Sequence, residues 1–437
     1  MRKIKVGIFG AGRGTDVGRS FVLAGADIVA LCDNIPERLE MGRKRIPDGV
    51  KCYDNFDEFL EHPGMEAVIV ANYFHEHAPF AIKCLEKGIA VFSECISNGT
   101  MAEGIELLRA AEKSNAVYML GENYPFMLFN QEIKKVCDGG TLGKVLYAEG
   151  EYNHPADPWN LSFRKEFNYF PEHWRNYNAR SYYITHSLGP IMYATGATPK
   201  KVHAFNCYAP TTDDIPSASN VGDKASIVTT LNDDGSVFRV TGCAAFGAHH
   251  NCYRVAGTKG QVEKVRGIPN KVMLRYNSWE KPEGMEAENF YEVKWDDDVD
   301  LELIKQSNHG GADYMIAKYF LSCVAEGRQP CHPFDVHSAI AMASVAILAH
   351  RSMLEGGTSY DIPDFRNPED CEKYKNDRLT PFIASDGTAP SLPCSSHPEC
   401  RATDTQLALF KKYVLDGEKL DGGDEGSGDV RIMNHGQ

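Results

Sequence analysis

The chain has 437 residues, 43% of them hydrophobic and 24% charged, enough for two domains that each bury a core. Its formal net charge of -14 removes any electrostatic case for nucleic acid or an anionic membrane as the main partner. The longest apolar stretch, around Ala339 to Ala349, falls well short of the roughly 20 residues that cross a bilayer.

The opening, Met1-Arg-Lys-Ile-Lys-Val-Gly-Ile-Phe-Gly10, reads as a strand and not as the apolar core of a signal peptide. Thirteen cysteines are scattered without a framework, which suits reduced thiols and leads us to expect a cytoplasmic protein. From residue 4 to about 120, Ile4–Phe9, Ile28–Cys32, Ala67–Ala71, Ala90–Ser93 and Val117–Leu120 read as buried parallel strands. Helical patterns such as Ala78–Lys87 and Met101–Lys113 alternate with them, the second opening on Thr100-Met-Ala-Glu103 with capping-box spacing. That alternation predicts an α/β fold with a doubly wound parallel sheet.

After about residue 125 the pattern changes. Lys144–Tyr152, Lys201–Tyr208, Ala225–Leu231, Val237–Cys243, Cys252–Ala256 and Gln261–Arg266 are strand-like, with turns such as Asn232-Asp-Asp-Gly235 between them. They predict an α+β domain on an open, mainly antiparallel sheet, followed by helices Asp313–Glu326 and Val336–Glu355. From Asp364 the chain is polar and marked by prolines, and its acidic, glycine-rich stretch Gly417–Gly428 reads as a mobile tail. There is no internal repeat.

Val6-Gly-Ile-Phe-Gly10-Ala-Gly12-Arg-Gly14-Thr15 carries the first chemical signal, a strand entering a glycine-rich turn and then a helix. Gly10 permits the turn, and Gly12 lets backbone approach a pyrophosphate at the helix N-terminus. The third glycine of the usual pattern is replaced by Thr15, unless Gly14 takes its place. Asp33 lies 21 residues after Gly12, where a carboxylate accepts from a ribose 2′-hydroxyl and repels a 2′-phosphate, favouring NAD over NADP. The bland reading of Asp33 is a helix cap before Pro36. On this reading residues 1–123 form an NAD-binding Rossmann domain, 124–363 the substrate and dimerisation domain, and 364–437 a partly mobile extension.

Three further stretches carry a family signature: Ala67-Val-Ile-Val-Ala-Asn72-Tyr-Phe-His75-Glu-His77-Ala-Pro79, Gly88-Ile-Ala-Val-Phe-Ser-Glu94 and Gly121-Glu-Asn123-Tyr. Over most of residues 1 to 365 the chain resembles the glucose-fructose oxidoreductase, inositol dehydrogenase and rhizopine-catabolism family. The resemblance implies NAD held near Arg13, Asn72, His75, His77, Glu94 and Asn123. It also implies a homodimer, or a higher oligomer, through the outer face of the second sheet.

Two departures bear on the chemistry. The family's Glu-Lys-Pro motif is here Glu94-Cys95-Ile96, without the lysine that assists hydride transfer, and its Asp-x-x-x-His motif has Tyr182 in place of the aspartate before His186. Tyr183-Ile-Thr-His186-Ser-Leu-Gly189-Pro190 and His309-Gly310-Gly311-Ala312-Asp313 are similar to the family's NAD-dependent α-N-acetylgalactosaminidase branch. That branch implies a glycosidase that transiently oxidises the sugar 3-hydroxyl, eliminates the aglycone, adds water and reduces the ketone again. By this resemblance His186 and Tyr183 are the catalytic candidates; otherwise His186 caps a helix and Tyr183 is core. A sugar dehydrogenase, or glycoside 3-oxidoreductase, and a non-catalytic NAD-binding protein are the alternatives.

Candidate substrate residues are His154, Trp174, Arg175, Tyr182 and His309. Trp174 offers an apolar face and Arg175 a donor fork, unless they are core and a surface pair. His154 ends a strand, and His309 precedes two glycines that admit a ligand or merely end a turn. Cys394, His397 and Cys400, or His154, His173 and His186, have ligand chemistry without a metal-fixing spacing, so no metal is expected. Cys95, a lone cysteine after a buried strand, reads as inert.

Overall fold

The computed structural model describes residues 2–161, 173–177, 179–219, 222–296 and 300–418. Six strands form the first sheet: β1 (Lys5–Phe9), β2 (Asp27–Cys32), β3 (Lys51–Tyr53), β4 (Ala67–Val70), β5 (Ala90–Ser93) and β6 (Tyr118–Leu120). All pairs are parallel in the order β3-β2-β1-β4-β5-β6, as the alternating pattern predicts. Every residue of β4 and β5 is buried, which is why they read as unbroken apolar runs. Strand order reverses beside β1, so the crevice between the C-terminal ends of β1 and β4 is where a ligand settles in such a sheet. Helix Met101–Lys113 begins at the capping box read from Thr100 and Glu103, with both reciprocal bonds made.

The second sheet has nine strands: β7 (Val145–Asn153), β8 (Pro199–Tyr208), β9 (Asp223–Asn232), β10 (Val237–Gly242), β11 (His250–Gly257), β12 (Gly260–Lys264), β13 (Lys271–Tyr276), β14 (Glu288–Glu292) and β15 (Tyr360–Asp361). Their order is β14-β13-β12-β11-β7-β10-β9-β8-β15, antiparallel except where β10 runs parallel to β7. Inward residues Val202, Ala204, Val228, Phe238, Val240, Tyr253 and Val255 are buried, and helices Thr185–Thr195 and Val336–Leu354 pack on this face. The sequence reading missed β3 and β15, which are three and two residues long. It also missed β13 and β14, whose outward positions carry Lys271, Arg275, Glu288 and Glu292.

The C-terminal extension departs from its polar appearance. Up to residue 418 it lies on the body of the molecule, with Phe382, Phe410 and Val414 buried. Arg351 donates twice to Asp377, at 2.7 Å each, and the Asp377 carbonyl accepts from Ala102 N at 2.9 Å. His350 Nε2 donates to the Pro393 carbonyl at 2.7 Å, and Asp223 takes the Ser396 amide and hydroxyl. Most of the stretch 417–428 lies outside the described residues. Few apolar side chains anchor this extension, so each carries much of its attachment. Phe382→Ala is expected to cost about 3–5 kcal/mol of stability, read as a shift in the urea unfolding midpoint.

Candidate active site

The site is built where the loop after β1 meets the ends of β4, β5 and β6. Gly10 has φ +99°, and a Cβ there would lie 2.3 Å from the Ala71 carbonyl oxygen, so no other residue fits. A Cβ on Gly14 would lie 2.8 Å from Ile8 Cγ2, so Gly14 supplies the close helix-to-strand packing that the sequence left open between it and Thr15. Thr15 instead turns its hydroxyl back to the Ala11 and Gly12 carbonyls. Nothing lies within 4 Å of a Cβ built on Gly12, the space a pyrophosphate needs at this helix start.

Asp33 binds backbone with both oxygens, on the two sides of its loop. Its Oδ2 accepts from Ala11 N at 2.8 Å, tying β2 to the glycine loop. Its Oδ1 accepts from Ile35 N at 2.9 Å, just before helix Pro36–Arg43. Asn72, beside Gly10, donates to the Glu76 carbonyl at 3.3 Å and leaves its buried Oδ1 unpartnered among the described residues. The open space at Gly12 and this acceptor fit a dinucleotide.

A buried carboxylate joins this loop to the second half of the chain. Asp313, in helix Ala312–Glu326, accepts from Asn123 Nδ2 at 2.5 Å, His309 Nδ1 at 3.1 Å and Arg13 at 3.3 Å. Burial alone would raise its carboxyl; His309, Arg13 and Asn123 hold it far below the ordinary value. Arg13 also donates to Glu94 at 2.9 Å, so Arg13, Glu94, Asn123 and His309 form one ionic cluster. Backbone of positive φ at His309, Gly310 and Gly311 turns the chain sharply enough to aim His309 back at Asp313.

Next to this cluster stands His186, in helix Thr185–Thr195, stacked on Tyr124 at 4.2 Å between ring centres. Tyr152 and Tyr183 meet it edge-on at 5.0 and 5.4 Å, and Tyr124 also approaches His309 at 5.9 Å. His186 Nδ1 donates to Glu122, 2.9 and 3.0 Å from its two oxygens. Burial pushes the Tyr183 phenol up to about 12, so it is a donor near neutral pH. Burial, with the nearby Glu122 and Glu94, also pushes the Cys95 thiol well up, as expected of an inert cysteine.

The structure thus gathers Arg13, Glu94, Asn123, Tyr183, His186 and His309. Sequence reasoning did not single out Glu122, Tyr124 and Tyr152, which the structure brings against His186. Glu122 and Tyr124 stood inside the quoted motif Gly121-Glu-Asn123-Tyr, and Tyr152 immediately precedes Asn153-His154.

The remaining candidates stand at the edge of this cluster or away from it. Tyr182 is fully buried against Phe382 and His350, turned from the cluster by the short helix Arg180–Tyr183, so its assignment to substrate is corrected. Trp174 is buried with Phe74 at 4.2 Å and the Arg175 guanidinium 4.4 Å from its ring centre, which corrects its reading as an open sugar platform. His75 stacks on Phe382 at 4.7 Å, and His77 donates through Nδ1 to the Ile96 carbonyl at 2.9 Å. His154 meets His249 at 4.7 Å and Tyr152 of the cluster at 5.6 Å, while His173 sits between Tyr73 and Trp174. Cys400 and His397 both contact Tyr208. Among the described residues no three His, Cys, Asp or Glu side chains are grouped to hold a metal ion.

Comparison with known proteins defines the class first. Residues 4–122 match the oxidoreductase family, NAD-binding Rossmann fold, so the first domain is an NAD-binding domain of that family. Residues 222–370 match the glycosyl hydrolase 109 C-terminal domain, and the chain therefore joins an oxidoreductase-family Rossmann domain to a glycosyl hydrolase 109 C-terminal domain. Glycosyl hydrolase family 109 protein 1 of Bacteroides fragilis is 24% identical over 403 residues, spanning 83% of this chain and 85% of its own. The family 109 protein of Stenotrophomonas maltophilia is 22% identical over 411 residues, spanning 83% and 89%. A levoglucosan dehydrogenase solved with NADH and levoglucosan shares the fold at TM-score 0.68 and 16% identity, covering 83% of this chain and 100% of that one. The myo-inositol 2-dehydrogenase of Lactobacillus plantarum does so at TM-score 0.62 and 18% identity, covering 83% and 100%. Among the described residues no helix is long and apolar enough to cross a membrane.

Two expectations follow from the electrostatics. Asp313→Asn removes the charge that Arg13 and His309 share, and is expected to cost roughly 3 kcal/mol of stability in urea unfolding and to weaken NAD binding measured by fluorescence. Burial holds His75, His154 and His350 down to about 4 and His173 to about 2, against an ordinary 6.5. Unfolding lets these rings take up protons, so stability is full above pH 6.5 and falls as pH drops from 6.5 toward 4. The Asp313 contribution is lost only lower, below its ordinary 3.8. Unfolding midpoints from pH 8 to 4 check this: a flat profile down to pH 4.5 contradicts it.

Proposed function

We propose that this chain is an NAD-dependent glycoside hydrolase that works by transient oxidation of the sugar 3-hydroxyl. The observation that carries the reading is the meeting of His186 and Tyr183, 5.4 Å apart between ring centres, beside a Glu94-Cys95 segment with no lysine. The glycosyl hydrolase 109 type of the C-terminal domain supports it.

Gly10, Gly12, Gly14, Asp33 and Asn72 would hold the cofactor, with Arg13, Glu94 and Asn123 ordering the rim beside it. Bound NAD would supply the reversible oxidation of the 3-hydroxyl, after which the hydrogen on the neighbouring carbon is acidic. His186 removes protons through Nε2, since Nδ1–H is committed to Glu122. Tyr183, protonated at neutral pH, donates a hydrogen bond to the enolate oxygen that forms. The electron pair freed at the C–H bond then expels the aglycone, whose oxygen takes up a proton, and water adds across the resulting double bond; because the oxidation would be reversible, no cofactor would be consumed overall. On this reading His309, hydrogen-bonded to Asp313, Arg175, above Trp174, and His154, beside Tyr152, bind sugar hydroxyls. The surrounding tyrosines limit water and strengthen each of these bonds.

The small carbohydrate acts alone as partner of this site. For the whole chain we infer a homodimer through the outer face of the second sheet, where Phe205, Leu231 and Phe290 are 54%, 45% and 52% exposed.

Purified protein incubated with chromogenic α- and β-glycosides and NAD⁺ is expected to release aglycone catalytically with no net NADH. Stoichiometric NADH with the glycosidic bond intact would make it a sugar dehydrogenase. His186→Ala is expected to lower kcat about 10²- to 10⁴-fold and Tyr183→Phe about 10²-fold with NAD binding unchanged. Near-normal turnover in both variants would remove these residues from the chemistry.

A further inference from the structure

We propose that Glu122 is the positioning carboxylate of His186, reaching it across the boundary between the two sheets. The proposal rests on the reading of His186 as the base. In the motif around His186 the residue four positions earlier is Tyr182, whose ring is buried away against Phe382 and His350, so the helix brings no carboxylate of its own. Glu122 comes instead from the loop after β6 and is fully buried, with both oxygens within 3.0 Å of His186 Nδ1.

Three features fit this role. Glu122 is held on its other sides by Tyr124 N at 3.1 Å to Oε1 and by the Cys95 thiol at 3.3 Å to Oε2, so its position does not depend on His186 alone. Burial alone would raise its carboxyl, yet His186, Thr185 and Cys95 hold it below the ordinary value, so it faces the imidazole as an anion. Cys95 is neutral where a lysine would place a competing cation. The third feature is a cradle in the helix: a Cβ on Gly189 would lie 2.7 Å from Glu122 Cγ and 3.4 Å from Cδ. A glycine in mid-helix is less favourable than alanine, and here it makes room for this side chain.

The consequence is a fixed tautomer. A buried anion accepting from Nδ1–H leaves Nε2 with its lone pair, turned toward substrate, and favours the imidazolium that forms when Nε2 takes a proton. The titratable groups facing the pair include Cys95, Tyr124, Tyr152, Tyr183 and Tyr253, all held protonated by burial, and His154, which burial keeps neutral. None competes with Glu122 for the Nδ1 proton.

The test is nitrogen NMR of histidine-labelled full-length protein with NAD⁺ bound, with His186 assigned by its absence in His186→Ala. Wild type is expected to show Nδ1 protonated and Nε2 bare at neutral pH. Glu122→Gln is expected to lose that preference and to lower kcat on the responding chromogenic glycoside about 10²-fold with KM changed less than threefold, and Glu122→Asp to recover part of both. Gly189→Ala displaces Glu122 while leaving both groups intact, and serves if the Glu122 variants do not fold; the same loss of tautomer is expected. A wild-type Nε2–H tautomer, or unchanged tautomer and turnover in Glu122→Gln or Gly189→Ala, overturns the proposal. Normal turnover in His186→Ala would instead overturn the reading on which it rests.

Discussion

The buried carboxylate of Asp313 is the constraint on which the site depends. A charge taken so far from water is tolerable only when donors surround it, and Arg13, Asn123 and His309 are those donors. Each comes from a different part of the chain: the glycine loop, the end of β6 and the turn before helix Ala312–Glu326. Satisfying one carboxylate therefore brings the glycine loop into register with the end of β6 and the turn at His309. Breaking any donor leaves a buried charge short of a partner, so the arrangement is specified sharply.

A second consequence is the low polarity around His186. Tyr124, Tyr152, Tyr183 and Tyr253 bring large apolar surfaces to a site that contains the carboxylates of Glu94, Glu122 and Asp313 and the imidazoles of His186 and His309, and Tyr253 donates to the His186 carbonyl at 2.5 Å. In such surroundings a phenol stays protonated and a thiol stays neutral. The same burial that removes Cys95 as a nucleophile strengthens the bond between Glu122 and His186. Environment, more than residue type, sets which of these groups keep their protons.

The C-terminal extension adds a third level of support. Phe382 packs against Phe74, His75 and Tyr182, thereby joining the loop after β4 to the short helix that leads into Thr185–Thr195. Ser385 N donates to Glu76 at 2.9 Å in the same region. The extension thus rests on both sequence segments that frame the site, without itself contributing to the ionic cluster.

Sequence alone determined the elements whose signals are local. Alternation of buried strands and helices, the glycine turn after β1 and the capping box at Thr100 depend on residues close together in the chain, and the structure has each of them. Asp33 and the segment Tyr183–His186 stood out because their spacing resembles a known motif, and the structure sets Asp33 against the glycine loop and His186 against Tyr124. Glu122, Tyr124 and Tyr152 did not stand out, because a carboxylate or a tyrosine acquires its role from neighbours tens of residues away. Tyr182 and Trp174 show the converse, since both have the chemistry to bind a sugar and both were turned into the core by packing. The polar extension concealed Phe382 for the same reason: burial is a property of the folded surface that covers a side chain. Local periodicity decided the sheets, and only the docking of one sheet's loops against the other's helices decided which side chains share a charge.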